Sequence, residues 1–147
     1  MSSNSIKLHR VLRTTPEKLY RAFIEPDALV KWIPPNGFTA KVSHMDVKVG
    51  GTYKMSFTNF STGQAHSFGG KYLELVPNER LRYTDKFDDP NMADEIQVTI
   101  TLKKVSCGTE LNITQENIPA AIPTEMCYLG WQESLILLTK LVEPEIP

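Results

Sequence analysis

The sequence has few of the features that would identify a metal centre, a disulfide framework or a membrane protein. Its 147 residues include only two cysteines, Cys107 and Cys127. Neither belongs to a CxxC pair or has a histidine close by, so neither a zinc site nor a disulfide is predicted. No apolar run is long enough to cross a bilayer, and the first ten residues carry no secretory signal. These absences predict a cytoplasmic protein with reduced thiols, no metal, no cofactor and no membrane insertion.

The sequence also lacks an excess of charge of either sign. It has 16 basic and 17 acidic residues, and so no strong field would attract nucleic acid or an anionic membrane surface. A neutral or weakly polar small ligand suits this composition better. The length predicts one domain, residues 1–147, that is large enough to hold a core and an internal cavity.

The N-terminal part of the chain predicts a strand followed by two short helices. Apolar and polar residues alternate over residues 6–13, which is typical of a strand. Thr15 and Pro16 then mark the start of a helix, because threonine accepts a hydrogen bond from an unpaired amide and proline loses no donor at this position. The predicted helices are residues 16–24 and 27–32.

The middle of the chain predicts a meander of antiparallel strands. Six alternating runs are separated by residues that favour turns. Gly50 and Gly51 stand directly before one such run, so they are predicted to turn the chain rather than to bind phosphate, which requires a junction from strand to helix. The predicted strands are residues 38–48, 52–60, 65–75, 79–87, 94–104 and 109–117.

The last part of the chain predicts one long, largely buried helix over residues 123–143. Apolar residues recur at helical spacing around Cys127, Trp131 and Leu135. Such a helix extends about 30 Å at 1.5 Å per residue, which is long enough to cross a sheet. A seven-stranded sheet that carries this helix on one face must curve around it, and curvature of this kind leaves space between the two.

Three motifs resemble a known family. They are VKVGGTY at residues 47–53, GGKYLELVPNERL at 69–81 and GWQESL at 130–135. Over nearly the whole chain they resemble the family of the C-terminal domain of the heat-shock-protein-ninety ATPase activator, within the START-like, helix-grip (SRPBCC) superfamily that includes polyketide cyclases. The resemblance implies an α+β helix-grip fold, in which a curved antiparallel seven-stranded sheet wraps a long C-terminal helix. It also implies a mostly apolar cavity, which in relatives holds lipids, hormones or polyketides.

Alternation along the strands predicts which side chains face this cavity. A sheet with one wet face also needs an inward apolar row for its core, so packing alone remains an alternative. Three inward tyrosines favour a cavity, because a buried phenol needs a hydrogen-bond partner that a ligand can supply. The predicted ligand-binding residues are Trp32, Phe38, Tyr53, Met55, Phe57, His66, Phe68, Tyr72, Tyr83, Phe87, Trp131 and Leu135.

A few polar residues share the inward phase of the strands. They are His44, His66, Asp85 and Gln115, unless a bulge reverses their direction. A histidine beside a carboxylate would serve as a general base for an aldol cyclisation or a dehydration. The sequence does not bring such a pair together, so no catalytic residue is assigned. Gly130 costs a helix close to 1 kcal/mol relative to alanine, which predicts that either backbone or ligand approaches there.

The sequence therefore predicts a binding module for a small, mostly apolar ligand that is lipid-like or polyketide-like. Two alternatives remain open. One is a cyclase or hydratase that uses the same cavity. The other is a co-chaperone that stimulates a chaperone ATPase, as the resemblance implies, although the eukaryotic activators carry an additional N-terminal domain and here the first strand is expected within about ten residues of Met1. A homodimer is compatible with the sequence, but no motif predicts one.

Overall fold

The chain folds into a seven-stranded antiparallel sheet and three α-helices. The computed structural model describes residues 4–92 and 94–147. The strands are β1 (Asn4–Leu12), β2 (Phe38–Met45), β3 (Thr52–Asn59), β4 (Ala65–Val76), β5 (Arg80–Phe87), β6 (Ile96–Val105) and β7 (Gly108–Ile118). The helices are α1 (Pro16–Ile24), α2 (Pro26–Trp32) and α3 (Thr124–Val142). This architecture confirms the predicted α+β fold, in which a curved sheet holds a long C-terminal helix.

The strands from β2 to β7 form a meander, and β1 closes it. Their order in the sheet is β1-β7-β6-β5-β4-β3-β2, and every neighbouring pair is antiparallel. The two helices after β1 carry the chain from one edge of the sheet to the other, where β2 begins. The edge strands are therefore β1 and β2, and β5 lies in the middle.

The two short helices form a corner that holds one end of the core. The Thr15 hydroxyl accepts a hydrogen bond from the Lys18 amide at 3.2 Å, and Pro16 is the first helical residue of α1, as predicted. Trp32 at the end of α2 is fully buried and donates from Nε1 to the carbonyl of Ala22 at 2.9 Å. Its ring meets the Phe23 ring edge-on, with centroids 4.9 Å apart. These contacts fix α2 against α1.

Gly50 and Gly51 turn the chain between β2 and β3, as predicted. Gly50 has a φ of +85°, which favours glycine. A Cβ on Gly51 would lie 2.1 Å from the carbonyl oxygen of Asp46, so no other residue fits there without movement. The Gly50 amide donates to the Tyr72 carbonyl at 2.9 Å, which ties this turn to β4.

The two halves of α3 have different surroundings. In the second half, Leu135, Leu138 and Val142 are buried, and the helix packs most closely against β1, α1 and α2. Ser134 donates from Oγ to the carbonyl of Ile33 at 2.8 Å, which joins the middle of α3 to the end of α2. The first half of α3 faces the sheet across a cavity. Within the described residues, no helix has the length and apolar character that a membrane crossing requires.

Candidate ligand cavity

A cavity of 270 Å³ lies between the sheet and the first half of α3. Half of its wall comes from residues of β3, β4 and β5, and the rest comes from α1, α2, the segment after α2, β6, β7 and α3. Nine residues that the sequence predicts as ligand-binding belong to this wall. They are Tyr53, Met55, Phe57, His66, Phe68, Tyr72, Tyr83, Phe87 and Trp131. The structure brings these nine together, and ligand binding by them remains a prediction.

The other predicted residues, Trp32, Phe38 and Leu135, do not belong to the wall. Trp32 is turned into the core by its hydrogen bond to Ala22. The Leu135 side chain of α3 is 3% exposed and packs in the hydrophobic core. The Phe38 ring lies beside Phe57, with centroids 6.5 Å apart, and supports the wall from outside.

Several wall residues are not among the predicted ligand-binding residues. Six of them lie on the helices or directly after α2, where periodicity identifies a buried face but does not separate core from cavity: Phe23, Leu29, Ile33, Cys127, Gly130 and Ser134. The strand phase predicts that Asp85 and Gln115 face inward, but it does not identify them as ligand-binding. The additional wall residues are Phe23, Leu29, Ile33, Pro35, Leu81, Asp85, Val98, Gln115, Cys127, Gly130 and Ser134.

Three tyrosines form a cluster on the sheet side of the cavity. The centroid of the Tyr53 ring is 5.7 Å from that of Tyr72 and 5.9 Å from that of Tyr83. Tyr72 and Tyr83 are 6.4 Å apart. Burial raises the pKa of all three phenols, and the nearby Asp85 charge adds to this effect at Tyr53 and Tyr83. The three hydroxyls therefore remain protonated and can donate hydrogen bonds at neutral pH.

Gly70 permits the close approach that organises this cluster. It pairs with Tyr53 across β3 and β4. A Cβ on Gly70 would lie 1.8 Å from the carbonyl oxygen of Thr84 on β5. With only hydrogen at this position, the Thr84 carbonyl can accept the Tyr53 hydroxyl proton at 2.9 Å. The Thr84 hydroxyl accepts from the Lys71 amide at 2.9 Å, which holds the same three strands together.

Asp85 places a carboxyl group in the wall. It follows Tyr83 by two residues on β5, so both side chains point to the cavity face. Asp85 keeps some exposed surface because it borders the cavity. Its Oδ1 atom is nevertheless buried and has no hydrogen-bond partner among the described residues. Burial raises the pKa of this carboxyl to about 7, against smaller lowering effects of the Tyr53 hydroxyl and the Lys86 amide.

A hydrogen bond connects the sheet to α3 beside the cavity. Trp131 donates from Nε1 to Oε1 of Gln115 on β7 at 3.2 Å. The neighbouring Gly130 also lines the cavity, and a Cβ built on it would have no atom within 4 Å. Close strand packing, one of the two predicted reasons for this glycine, is therefore wrong. The space in front of Gly130 belongs to the cavity.

The two inward histidines of the sequence prediction have different positions. His66 is exposed and lines the open end of the cavity, where its ring centroid is 6.0 Å from that of Phe57. The inward prediction for His44 is wrong. A β-bulge between Val42 and His44 shifts the register of β2, so that His44 is exposed and its Nε2 lies 3.0 Å from Oγ1 of Thr52.

The pair of an inward histidine and a carboxylate that the enzyme alternative requires is not formed in the cavity. In the part of the chain that the structure describes, no hydrogen bond joins His66 to Asp85. Residues 4–92 and 94–147 also contain no group of three His, Cys, Asp or Glu side chains that could hold a metal ion. Cys107 is exposed and Cys127 is half-buried, and both are free thiols.

A curved antiparallel sheet that holds a long C-terminal helix over an apolar cavity defines the helix-grip class of proteins. The chain belongs to the family of activator of Hsp90 ATPase homolog 1-like proteins, whose model matches residues 13–143. The resemblance predicted from the three motifs is therefore confirmed.

Solved structures agree with this assignment. A protein from Chromobacterium violaceum is 59% identical, covers 97% of this chain and 99% of its own, and superposes with a TM-score of 0.95. A protein from Rhodobacter sphaeroides shares the fold at 23% identity, with a TM-score of 0.82 over 95% of this chain and 91% of its own. An AHSA1-like protein from Aeromonas hydrophila does so at 18% identity, with a TM-score of 0.77 over 95% and 92%. No curated protein matches the sequence significantly.

Proposed function

We propose that this protein binds a small, mostly apolar ligand in the cavity between the sheet and α3. The observation that carries the proposal is a largely apolar, aromatic cavity of 270 Å³ whose wall includes the polar groups of the tyrosine cluster and Asp85. Ligand sites of proteins typically combine apolar walls with a few polar groups that fix orientation. This volume is close to the lower end of the range of about 300–1,000 Å³ for such sites, which favours a small molecule over a diacyl lipid.

Binding would draw its free energy from the apolar wall and its orientation from the polar groups. Met55, Phe68 and Phe87 present apolar surface to the cavity, and each Å² removed from water contributes about 25 cal/mol. The hydroxyls of Tyr72 and Tyr83 are donors for a polar group of the ligand. The bond from Trp131 to Gln115 holds α3 at a fixed distance from the sheet, so the cavity exists before the ligand arrives.

A cavity-filling variant tests the proposal. Gly130→Leu would place a leucine side chain in the cavity, because no atom lies within 4 Å of the position of its Cβ. Gln132→Leu adds the same side chain on the exposed face of α3 and is the matched control. The neutral apolar dye N-phenyl-1-naphthylamine is titrated into each protein, with fluorescence as the readout.

We expect Gly130→Leu to bind the dye about tenfold more weakly than the wild type, since a filled cavity loses the buried apolar area. Gln132→Leu should bind as the wild type does. Equal binding by all three proteins would contradict the proposal. Native mass spectrometry of protein taken directly from its host provides a second readout, because a co-purified small molecule should be present on the wild type and absent from Gly130→Leu.

Proton-transfer catalysis in the same cavity is a second candidate function. It is favoured by Asp85, whose buried carboxyl has a pKa raised to about 7, a value suited to a general acid or base. His66 is not hydrogen-bonded to it, so the cyclase or hydratase alternative would depend on Asp85 alone. If a co-purified molecule is found, incubation with fresh wild-type protein should convert it, and Asp85→Asn should not. Unchanged conversion by Asp85→Asn would exclude this candidate.

Stimulation of a chaperone ATPase is a third candidate, which the description of the family supports. The outer face of α3 offers a surface for a protein partner, because Met126, Leu129 and Ile136 are each more than half exposed. Leu129→Glu should abolish the capture of the chaperone and the stimulation of its ATPase, whereas Gly130→Leu should leave both intact. Absence of capture by the wild-type protein would exclude this candidate.

A further inference from the structure

The wall of the cavity is electrostatically one-sided. It includes one carboxyl group, that of Asp85, and neither a lysine nor an arginine. The only imidazole, that of His66, lies at the exposed end. A ligand that carried an anionic group would therefore meet a like charge without a guanidinium or ammonium group to balance it. The described lining disfavours fatty acids and other apolar anions.

Asp85 has an unused hydrogen-bonding capacity at the cavity. Its Oδ1 atom is buried and has no partner among the described side chains and backbone groups. The Tyr53 hydroxyl lies close enough to lower the pKa of this carboxyl, but it gives its single proton to the carbonyl of Thr84 at 2.9 Å, so Oδ1 still lacks a donor. Unpaired buried oxygens of this kind are costly and rare in folded proteins. A donor brought by the ligand would satisfy it.

The surroundings of Asp85 suit a cation. The rings of Tyr53, Tyr72 and Tyr83 lie with their centroids 5.7 to 6.4 Å apart on the same side of the cavity. Aromatic faces attract ammonium groups through the quadrupole of the ring, by about 0.5 to 2 kcal/mol depending on desolvation. Since burial raises the pKa of these phenols, they remain neutral and Asp85 is the carboxylate beside which a cation would bind. A carboxylate beside aromatic rings is therefore suited to bind the cationic group of an otherwise apolar ligand.

We infer that the ligand of this cavity carries a protonated amine, which donates to the Asp85 carboxylate and lies against the tyrosine rings. The apolar remainder of the ligand lies towards Met55, Phe68 and Phe87. This inference rests on the proposed binding function and adds the chemical class of the ligand. It accounts for a buried carboxyl oxygen, Oδ1 of Asp85, that has no hydrogen-bond partner among the described residues.

Three probes with one apolar skeleton test the inference. They are 3-phenylpropylamine, 3-phenylpropan-1-ol and 3-phenylpropionate, which carry a positive, a neutral and a negative group. Each is titrated into the wild-type protein by calorimetry at about pH 8, where the carboxyl is ionised and the amine is protonated. We expect the amine to bind about tenfold more tightly than the alcohol, and the acid to bind more weakly than both.

Two variants test whether the affinity for the amine depends on the charge of Asp85 rather than on its shape or on the net charge of the protein. Asp85→Asn keeps the size of the side chain and should weaken the binding of the amine about tenfold, while the affinity for the alcohol stays nearly unchanged. Glu116→Gln removes one negative charge from an exposed position of β7 and should leave the affinity for the amine unchanged. Circular dichroism of each variant establishes that it is folded.

The outcomes distinguish the inference from the function on which it rests. Equal or tighter binding of the alcohol, or tightest binding of the acid, would overturn the amine inference and leave the cavity as a binding site. The same conclusion would follow if Asp85→Asn bound the amine as well as the wild type does. Binding of none of the three probes, together with equal dye binding by Gly130→Leu, would overturn the proposed function itself.

Discussion

Gly70, which pairs with Tyr53 of the tyrosine cluster, and Gly130, which lines the cavity, are in opposite steric situations. A Cβ on Gly70 would lie 1.8 Å from the backbone oxygen of Thr84, whereas a Cβ on Gly130 would meet no atom within 4 Å. Gly130→Ala should therefore raise the free energy of unfolding by about 1 kcal/mol, the difference in helix propensity. Gly70→Ala should lower it by about 1–3 kcal/mol or more, because backbone must move. Urea denaturation followed by circular dichroism measures both values.

The two substitutions are controls for each other, since each adds one methyl group to a glycine. If Gly130→Ala were as destabilising as Gly70→Ala, the space in front of α3 would be smaller than the structure indicates. If Gly70→Ala were neutral, the approach of β5 to β4 at Thr84 would be looser than described.

Single residues show where sequence reasoning succeeds and where it stops. Alternation identifies Tyr53, Tyr72 and Asp85 as inward-facing because the strand period is strictly two. His44 is placed wrongly because one bulge reverses that phase, and no local residue signals it. The unpaired oxygen of Asp85 cannot be predicted either, since it depends on a hydrogen bond from Tyr53 to a carbonyl 31 residues away.

At the level of elements, the start of α1 depends on one side chain. The Thr15 hydroxyl accepts from the Lys18 amide at 3.2 Å and caps the helix that supplies Phe23 to the cavity wall. Thr15→Ala should lower the free energy of unfolding by about 1 kcal/mol, because an amide of the first turn loses its partner. Thr15→Ser keeps the hydroxyl and should stay close to the wild type. Equal melting temperatures of the two variants would contradict the role of the cap.

Among the strands, the edge strand β2 should be the least protected against hydrogen exchange. Its only neighbour in the described sheet is β3, and none of its eight residues is fully buried. β6 and β7 each lie between two neighbouring strands and contain buried residues such as Ile100 and Ile113. Hydrogen exchange monitored by NMR should therefore be at least about tenfold faster in β2 than in β6. Equal protection in dilute solution would contradict this order.

The bounds of most elements can be predicted because caps and turns are local. Pro16 begins α1 and the glycines after β2 turn the chain, whereas α2 begins at Pro26, one residue before the predicted start at residue 27. β2 ends at Met45 rather than at residue 48 because the turn already begins at Asp46, whose carbonyl accepts from the Lys48 amide. Pairing of β1 with β7 joins residues more than 90 positions apart, and periodicity alone carries no information about it.

For the whole molecule, the cavity is a cost to stability that a ligand can offset. Side chains that face empty space lose contacts, and a buried carboxyl without a partner is unfavourable when ionised. Replacing such groups commonly stabilises a protein at the expense of its function. The free energy of unfolding should therefore depend on the protonation of Asp85, the carboxyl that lies in the cavity wall.

The sign of this dependence follows from the raised pKa of Asp85. Its pKa is about 7 in the folded protein and near 3.8 in the unfolded chain, so the folded state holds an extra proton between these values. The contribution of Asp85 to stability is complete below about pH 4 and is lost as the pH rises to about 7, by up to about 4 kcal/mol. The other ionisable wall groups are His66, Cys127 and the tyrosines, and burial raises the pKa of the Cys127 thiol and of the three phenols.

Asp85→Asn should remove this loss, because asparagine stays neutral at every pH. Urea denaturation between about pH 5 and pH 8 should show the stability of the wild type falling relative to that of Asp85→Asn, which is expected to be the more stable protein at pH 8. Asp94→Asn, at an exposed position before β6, should follow the wild type.

An amine that binds at Asp85 would favour its ionised form. Saturation with 3-phenylpropylamine should therefore restore most of the stability that the wild type loses at pH 8, and it should add none to Asp85→Asn. A wild-type stability that does not change relative to Asp85→Asn over this range would mean that Asp85 is ionised and well solvated in the folded protein.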